Sequence, residues 1–307
     1  MKYNNYAYNN TSEDFSDMHS FFREVYGLTR KIETWDFVRL EFWRVAAEVY
    51  YSSIPNFFCN NAQLWRDESG KLKGLLISES GGDYFSILVH PDSLSLAEEI
   101  AYFARDIWGM NKKNIVTDGF IHSKEVSAIL KAGLKKDCQI GNVRKYNLEN
   151  MELKPVLEKG FTIKCITEAL NYLDKLETIS RAFNPNKIFD GNTRYWRSEL
   201  PSYCEDLDLS VISPDGKHIS LCYGFIDKEN SMAVIETVAT HSDYQKRGCG
   251  KAVITECFRR LREKGVKSAY ITGYSEAANA LYQSLKPVEV YPLIRYKLEN
   301  PCQIDLL

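Results

Sequence analysis

Apolar residues in the second half of the chain follow two periods. Residues 219–226 and 232–239 are near-continuous apolar runs, the pattern of buried strands. Between 250 and 263 the apolar positions are Val253, Ile254, Cys257, Phe258 and Leu261. They share one face of an α-helix, with Glu256, Arg259, Arg260 and Glu263 on the other side. The same reading places strands at 161–165, 209–211, 269–272 and 288–298, and helical stretches at 172–183, 194–200 and 277–285. The first half repeats this order of helices, hairpin, strand, helix and closing strands. Strands followed by amphipathic helices predict an α/β fold, a mixed central sheet flanked by helices.

The repetition extends to residues. Arg144-Lys145-Tyr146-Asn147-Leu148-Glu149-Asn150 and Ile294-Arg295-Tyr296-Lys297-Leu298-Glu299-Asn300 align Tyr, Leu, Glu and Asn. Glu68-Ser69-Gly70-Lys71 and Pro214-Asp215-Gly216-Lys217 are matching turn signals, each ahead of an apolar run. This spacing fits duplication. The Pro- and Gly-containing stretch 151–160 marks the expected boundary, giving domains at 1–152 and 153–307.

Composition narrows the function. Hydrophobic residues at 44% and charged residues at 26% are the proportions of a globular protein. With 39 Lys and Arg against 41 Asp and Glu, no global field recruits nucleic acid or an anionic membrane. No run approaches the roughly 20 apolar residues of a membrane span, and the polar start carries no secretory leader. The eight cysteines form no CxxC pair and read as reduced thiols, which points to the cytoplasm. His19, His90, His122, His218 and His241 show no metal-ligand spacing.

The chemistry gathers after the run 232–239. A polar turn, 240–244, leads to Gln245-Lys246-Arg247-Gly248-Cys249-Gly250-Lys251 and directly into the long helix. Unpaired N–H groups and the positive end of the helix dipole make such a turn an anion site. Two glycines let a pyrophosphate approach the backbone, and Lys246, Arg247 and Lys251 add positive charge. A Walker loop is excluded, because Ala252 follows Gly250-Lys251 and Gln245 stands where its first glycine belongs. A dinucleotide loop would need a third glycine.

Gln245, Gly248 and Gly250, with Glu236 to His241 before them and Ser275 to Tyr282 after, resemble the GNAT superfamily of acyl-coenzyme A-dependent N-acyltransferases. The resemblance implies two tandem acyl-CoA N-acyltransferase-like domains, the first degenerate: after His90 comes Pro91-Asp92-Ser93-Leu94-Ser95-Leu96, with no glycine pair. It implies acetyl-CoA as cosubstrate and a primary amine, a small molecule, as acceptor. Backbone at Val238, Ala239 and Thr240 would hold the pantetheine arm and polarise the thioester. Gln245, Lys246, Arg247, Gly248, Cys249, Gly250 and Lys251 would hold the pyrophosphate, and Asn279 the cofactor arm. Tyr282 would protonate the departing thiolate, and Glu236 would take the amine's proton. One departure is that Lys286-Pro287 replaces the family's usual Gly-Phe.

Other readings stand beside these. Tyr282 also has the spacing of a core residue, and Glu236 that of a polar residue on a half-exposed strand. The acidic run Glu205-Asp206-Leu207-Asp208 either draws in a cationic amine or is a solvated loop. Phe183, Phe189, Tyr195, Trp196 and Tyr203 line an acceptor pocket or pack a core. Cys249, between two glycines, suits packing better than covalent catalysis. The alternative to an enzyme is a non-catalytic acyl-CoA-binding sensor or interaction module.

Overall fold

The computed structural model describes residues 2–120, 123–186, 189, 191 and 194–299; His122 and Cys302 lie outside them. The chain forms two compact units, 1–141 with 291–307, and 142–290. The 151–160 linker therefore lies within the second unit.

In the first unit β1 (Asn4–Ala7), β2 (Ala62–Arg66), β3 (Leu72–Ile77), β4 (Tyr84–Val89) and β5 (Asn114–Phe120) pair in chain order. All these pairs are antiparallel except β4 with β5. Helices α1 (Ser12–Thr29), α2 (Phe37–Tyr50), α3 (Phe57–Asn61), α4 (Leu96–Phe103) and α5 (Lys124–Lys131) connect them. The chain continues through β6 (Lys135–Asn147).

The second unit repeats the plan with β7 (Thr162–Cys165), α6 (Tyr172–Phe183), β8 (Asp208–Ile212), β9 (His218–Asp227), β10 (Met232–Thr240), α7 (Cys249–Glu263), β11 (Ser268–Gly273) and α8 (Glu276–Gln283). Here the parallel pair is β10 with β11. The expected helix at 194–200 is a short 3-10 turn at Arg197–Glu199.

Each sheet is completed by the last strand of the other half. β6 lies antiparallel to β11, with Tyr146 opposite Ala269, and β12 (Glu289–Glu299) lies antiparallel to β5, with Tyr296 opposite Thr117. The repeated Tyr thus occupies the same place in both units, buried each time. The two hairpin turns also match bond for bond. Asp67 N donates to Lys71 O at 3.0 Å and Gly70 N to Asp67 O at 2.9 Å; Ser213 N donates to Lys217 O at 3.0 Å and Gly216 N to Ser213 O at 2.9 Å. Gly70 and Gly216 supply the left-handed φ, +85° and +88°, that these turns need.

Alternation along β9 distributes the second unit's helices. The Cys222 thiol points to Val253 O of α7, while the Lys175 ammonium of α6 lies 5.3 Å from the Tyr223 ring. Successive side chains face opposite ways, so α7 and α6 cover opposite faces. The five predicted apolar residues of α7 are all fully buried. Glu256 is buried too, contrary to its expected exposed face, because Arg259 and Arg260 both bond its carboxylate.

The exchange predicts that a fragment cut at the linker will not fold alone. Residues 153–307 lack β6, so β11 loses its antiparallel partner and the core loses Tyr146, whose ring centre lies 4.9 Å from that of Phe258. Loss of that side chain alone is worth about 2–3 kcal/mol. Expressed separately, 153–307 is expected to be insoluble or to melt without cooperativity, and co-expression with 1–152 to restore a cooperative transition. A stable, cooperatively folded 153–307 would contradict this pairing.

Candidate functional site

Parallel pairing between β10 and β11 runs from Met232 opposite Ser268 to Val234 opposite Tyr270 and stops. On its other side β10 stays paired with β9 as far as Thr240 opposite Ser220. The register changes there: Ile235 faces Gly224 and Val238 faces Cys222, so Glu236 and Thr237 together oppose Tyr223. This is a β-bulge, which bends a strand and re-aims its side chains. Beyond it, the edge of Val238, Ala239 and Thr240 that faces away from β9 borders the gap left by β11. Backbone groups on such an edge can bond an extended, amide-bearing chain.

At the wide end of the gap stands the N-terminus of α7. Gly248 caps it in the left-handed conformation, φ +79°, with no side-chain cap, leaving the first-turn N–H groups aimed outward. Gly250 serves differently: a Cβ there would lie 3.1 Å from Leu281 Cδ2 and 3.2 Å from Thr240 Oγ1. Gln245 donates to Thr240 O at 3.2 Å, fastening the turn to the strand. Lys246 also takes a left-handed φ, +62°. Lys251 reaches Ser284 O at 3.2 Å.

Arg247 departs from expectation in its side chain. Its guanidinium pairs with Glu158 and lies 4.9 Å from the Phe161 ring, so its charge is largely answered within the protein. Its backbone remains part of the loop. Burial pushes the Cys249 thiol up, away from the thiolate that covalent catalysis requires.

The narrow end carries the two proposed proton-transfer groups. Tyr282 on α8 is 5% exposed and packs against Gly273, where a Cβ would come within 3.0 Å of its ring. Burial, and next the charge of Glu236, hold its phenol well above the ordinary tyrosine range. Glu236 is exposed on the bulge. The bulged strand and the short helix thus bring Glu236 close enough for its charge to act on Tyr282.

What holds α8 is not legible in the local residue pattern. Arg144 on β6, 5% exposed, donates to Asn279 Oδ1 at 2.7 Å, and Asn142 donates to the same oxygen at 3.2 Å. Asn279 Nδ2 donates to Ser275 O at 2.9 Å. The Asn279 side chain is thus a hub that fixes α8, and Tyr146 adds a bond to Tyr282 O at 2.7 Å. Lys286 occupies the left-handed φ, +59°, at the helix end where the family usually has glycine, with Pro287 following.

The acidic run is mostly spent on internal partners: Asp206 pairs with Lys264 at 2.7 Å, and Asp208 is fully buried against Lys175. Tyr195 and Tyr203 each bond Asp208 at 2.6 Å, whereas Phe183 is 60% exposed.

His90 in the first unit and His241 in the second hold equivalent turns, each accepting from the N–H two residues on. After His90, however, a 3-10 turn, Pro91–Ser93, runs into α4 through right-handed Leu94 and Ser95. No left-handed glycine opens that helix end, and α5 carries neither tyrosine nor asparagine.

The family model described as Acetyltransferase (GNAT) family matches residues 176–286. Among solved structures, a GCN5-related N-acetyltransferase from Sphaerobacter thermophilus is similar with a TM-score of 0.60 at 16% identity, covering 97% of this chain and 95% of that one. A tandem GNAT protein from the clavulanic acid biosynthesis pathway gives 0.61 at 12%, covering 97% and 98%. A putative acetyltransferase from Pyrococcus horikoshii gives 0.53 at 15%, covering 97% and 89%. At these identities the likeness is one of fold, and it extends over both halves of the chain. No curated relative matches. No helix among the described residues is long and apolar enough to cross a membrane.

Replacing Arg144 by Met keeps the stem and removes its bond to Asn279, leaving the one from Asn142. Lost hydrogen bonds from a charged donor are expected to cost about 1.5–3 kcal/mol, seen as a lower thermal midpoint. An unchanged midpoint would mean that the bonds from Asn142 and Tyr146, with packing, hold α8 without Arg144.

Proposed function

We propose that this protein is an N-acetyltransferase that carries an acetyl group from acetyl-CoA to a primary amine on a small molecule by direct attack. The observation that carries this reading is the convergence of Glu236 and Tyr282 at the point where β10 leaves β11, with the open end of α7 at the far end of the same gap.

The residues fit acetyl-CoA in three ways. Backbone N–H groups of 248–251 offer an anion site for pyrophosphate. The free edge of Val238, Ala239 and Thr240 suits the pantetheine amides. An N–H there also suits the thioester oxygen as charge develops on it. The Asn279 side chain is engaged with Arg144 and Asn142, so its role is to position α8 rather than to grip the arm.

Glu236 receives the acceptor's proton, directly or through water, freeing the nitrogen lone pair. The C–N bond forms at the thioester carbonyl carbon and the C–S bond breaks. Tyr282 gives its proton to the leaving sulfur, a role open to it because burial raises the phenol above its ordinary range and so keeps it protonated at neutral pH; the proton that the new amide nitrogen sheds restores the phenol. The raised Cys249 thiol weighs against a covalent acyl-enzyme.

Free thiol release against a panel of amines tests this. Tyr282→Phe is expected to lower kcat about 100-fold while KM for acetyl-CoA stays within about threefold. Amine-independent binding with no release from any acceptor would instead favour the acyl-CoA sensor. The pH profile is a separate check. A phenol held above its ordinary value near 10 loses its proton later, so kcat should rise as the acceptor ammonium deprotonates and show no fall through about pH 10. A descending limb near 10 that vanishes in Tyr282→Phe would contradict the assigned environment.

A further inference from the structure

Apart from the gap between β10 and β11, the second unit holds a polar pocket of about 200 Å³ that the transfer chemistry leaves unused. Three pieces of chain wall it. Asp174, Glu177, Thr178 and Arg181 come from one face of α6, spaced as neighbours on a helix. Lys217 and His218 come from the start of β9, and His241 and Asp243 from the turn after β10. Antiparallel pairing of Thr240 with Ser220 brings these last two pieces together. Glu236 and Tyr282 are not among the walls. From Glu236 to His241 the chain runs roughly 15 Å as extended strand, so a molecule seated here is beyond the reach of acyl transfer.

His218 points to a ligand. It is 4% exposed and lines the pocket, its Nδ1 is covered without a partner, and no described residue bonds its Nε2. Burial, and next the charge of Lys175, hold the ring below the ordinary histidine range, so it is neutral. An N–H on Nδ1 would have nothing to donate to. The one proton of the ring therefore belongs on Nε2, the nitrogen left for the pocket. His241 offers the same group: its Nδ1 accepts from Asp243 N at 3.2 Å, which leaves its proton on Nε2.

The charged walls are loosely matched. Arg181 Nε lies 4.0 Å from Glu177 Oε1 and is otherwise unpartnered, and Lys217 stands 4.0 Å from Asp215. Asp174 takes a long bond, 3.3 Å, from His218 N. Two cations, Arg181 and Lys217, against three carboxylates, Asp174, Glu177 and Asp243, leave the walls negative by one charge. That balance disfavours an anion, and the two cations disfavour a simple ammonium. A dipolar molecule answers both. Its carboxylate takes Lys217 and the imidazole N–H groups, and its ammonium takes Glu177 and Asp243. At about 30 Å³ per water, the space equals roughly six or seven waters, which suits a molecule of amino-acid size.

We propose that this pocket binds a small zwitterion of the amino-acid class, as a ligand separate from the acyl donor and its acceptor. Titration calorimetry on the full-length chain without coenzyme A, using each proteinogenic amino acid up to about 10 mM or its solubility limit, tests this. At least one is expected to bind. The amide and the N-acetyl derivative of that amino acid each lack one charge, and each is expected to bind about tenfold more weakly or worse. Lys217→Met and Glu177→Gln should each weaken binding by a similar factor. Their side chains are 66% and 44% exposed, so an unchanged thermal midpoint is expected to show that both variants keep the fold. Binding that neither substitution moves would place the amino acid elsewhere, as at the acceptor's site, and overturn the proposal. So would the absence of any binder, or a derivative that binds as tightly as its parent. None of these outcomes depends on acetyl transfer.

Discussion

The parallel ladder between β10 and β11 ends after three residue pairs, and the second unit's chemistry depends on that ending. A strand that remained paired would spend its edge groups on its neighbour. The bulge at Glu236 and Thr237 keeps β10 bonded to β9 while turning it, which frees one edge without unravelling the sheet. The same bulge sets Glu236 on the side of Tyr282 and Thr237 on the side of Arg197. The helix that follows needs a left-handed opening, and Gly248 provides it without a side chain that would cover the N–H groups.

Duplication explains the frame but not the chemistry. Matching turns, matching His caps and matching Tyr positions show two units built alike. They part company after the His-capped turn, where one continues right-handed into its helix and the other opens at Gly248. A few backbone dihedrals separate an open helix end, which can take an anion, from a sealed one.

Local patterns were the legible part of the sequence. The periodicity of α7, the glycine loop and the turn signals depend on neighbours within a few residues, and these features stand where the periods and glycines placed them. Pairings between distant residues carry no period. Nothing near Arg144 says that β6 joins the second unit, and nothing near Arg247 says that Glu158 will take its charge. Asp208 reads as surface acid in its run, but Lys175 and two phenols bury it. Glu256 reads as part of the polar side of its helix, but two arginines on the same helix bond its carboxylate and make its burial tolerable.

The central claim is that the chain holds one acyl-donor site, formed in the second unit by the diverging strands and the Gly248 helix end. Its most direct test is the number of acetyl-CoA molecules bound per chain, counted by titration calorimetry. One per chain is the predicted result. Two would show that the right-handed turn into α4 does not seal the first unit, and none would remove the basis for assigning the gap to an acyl donor.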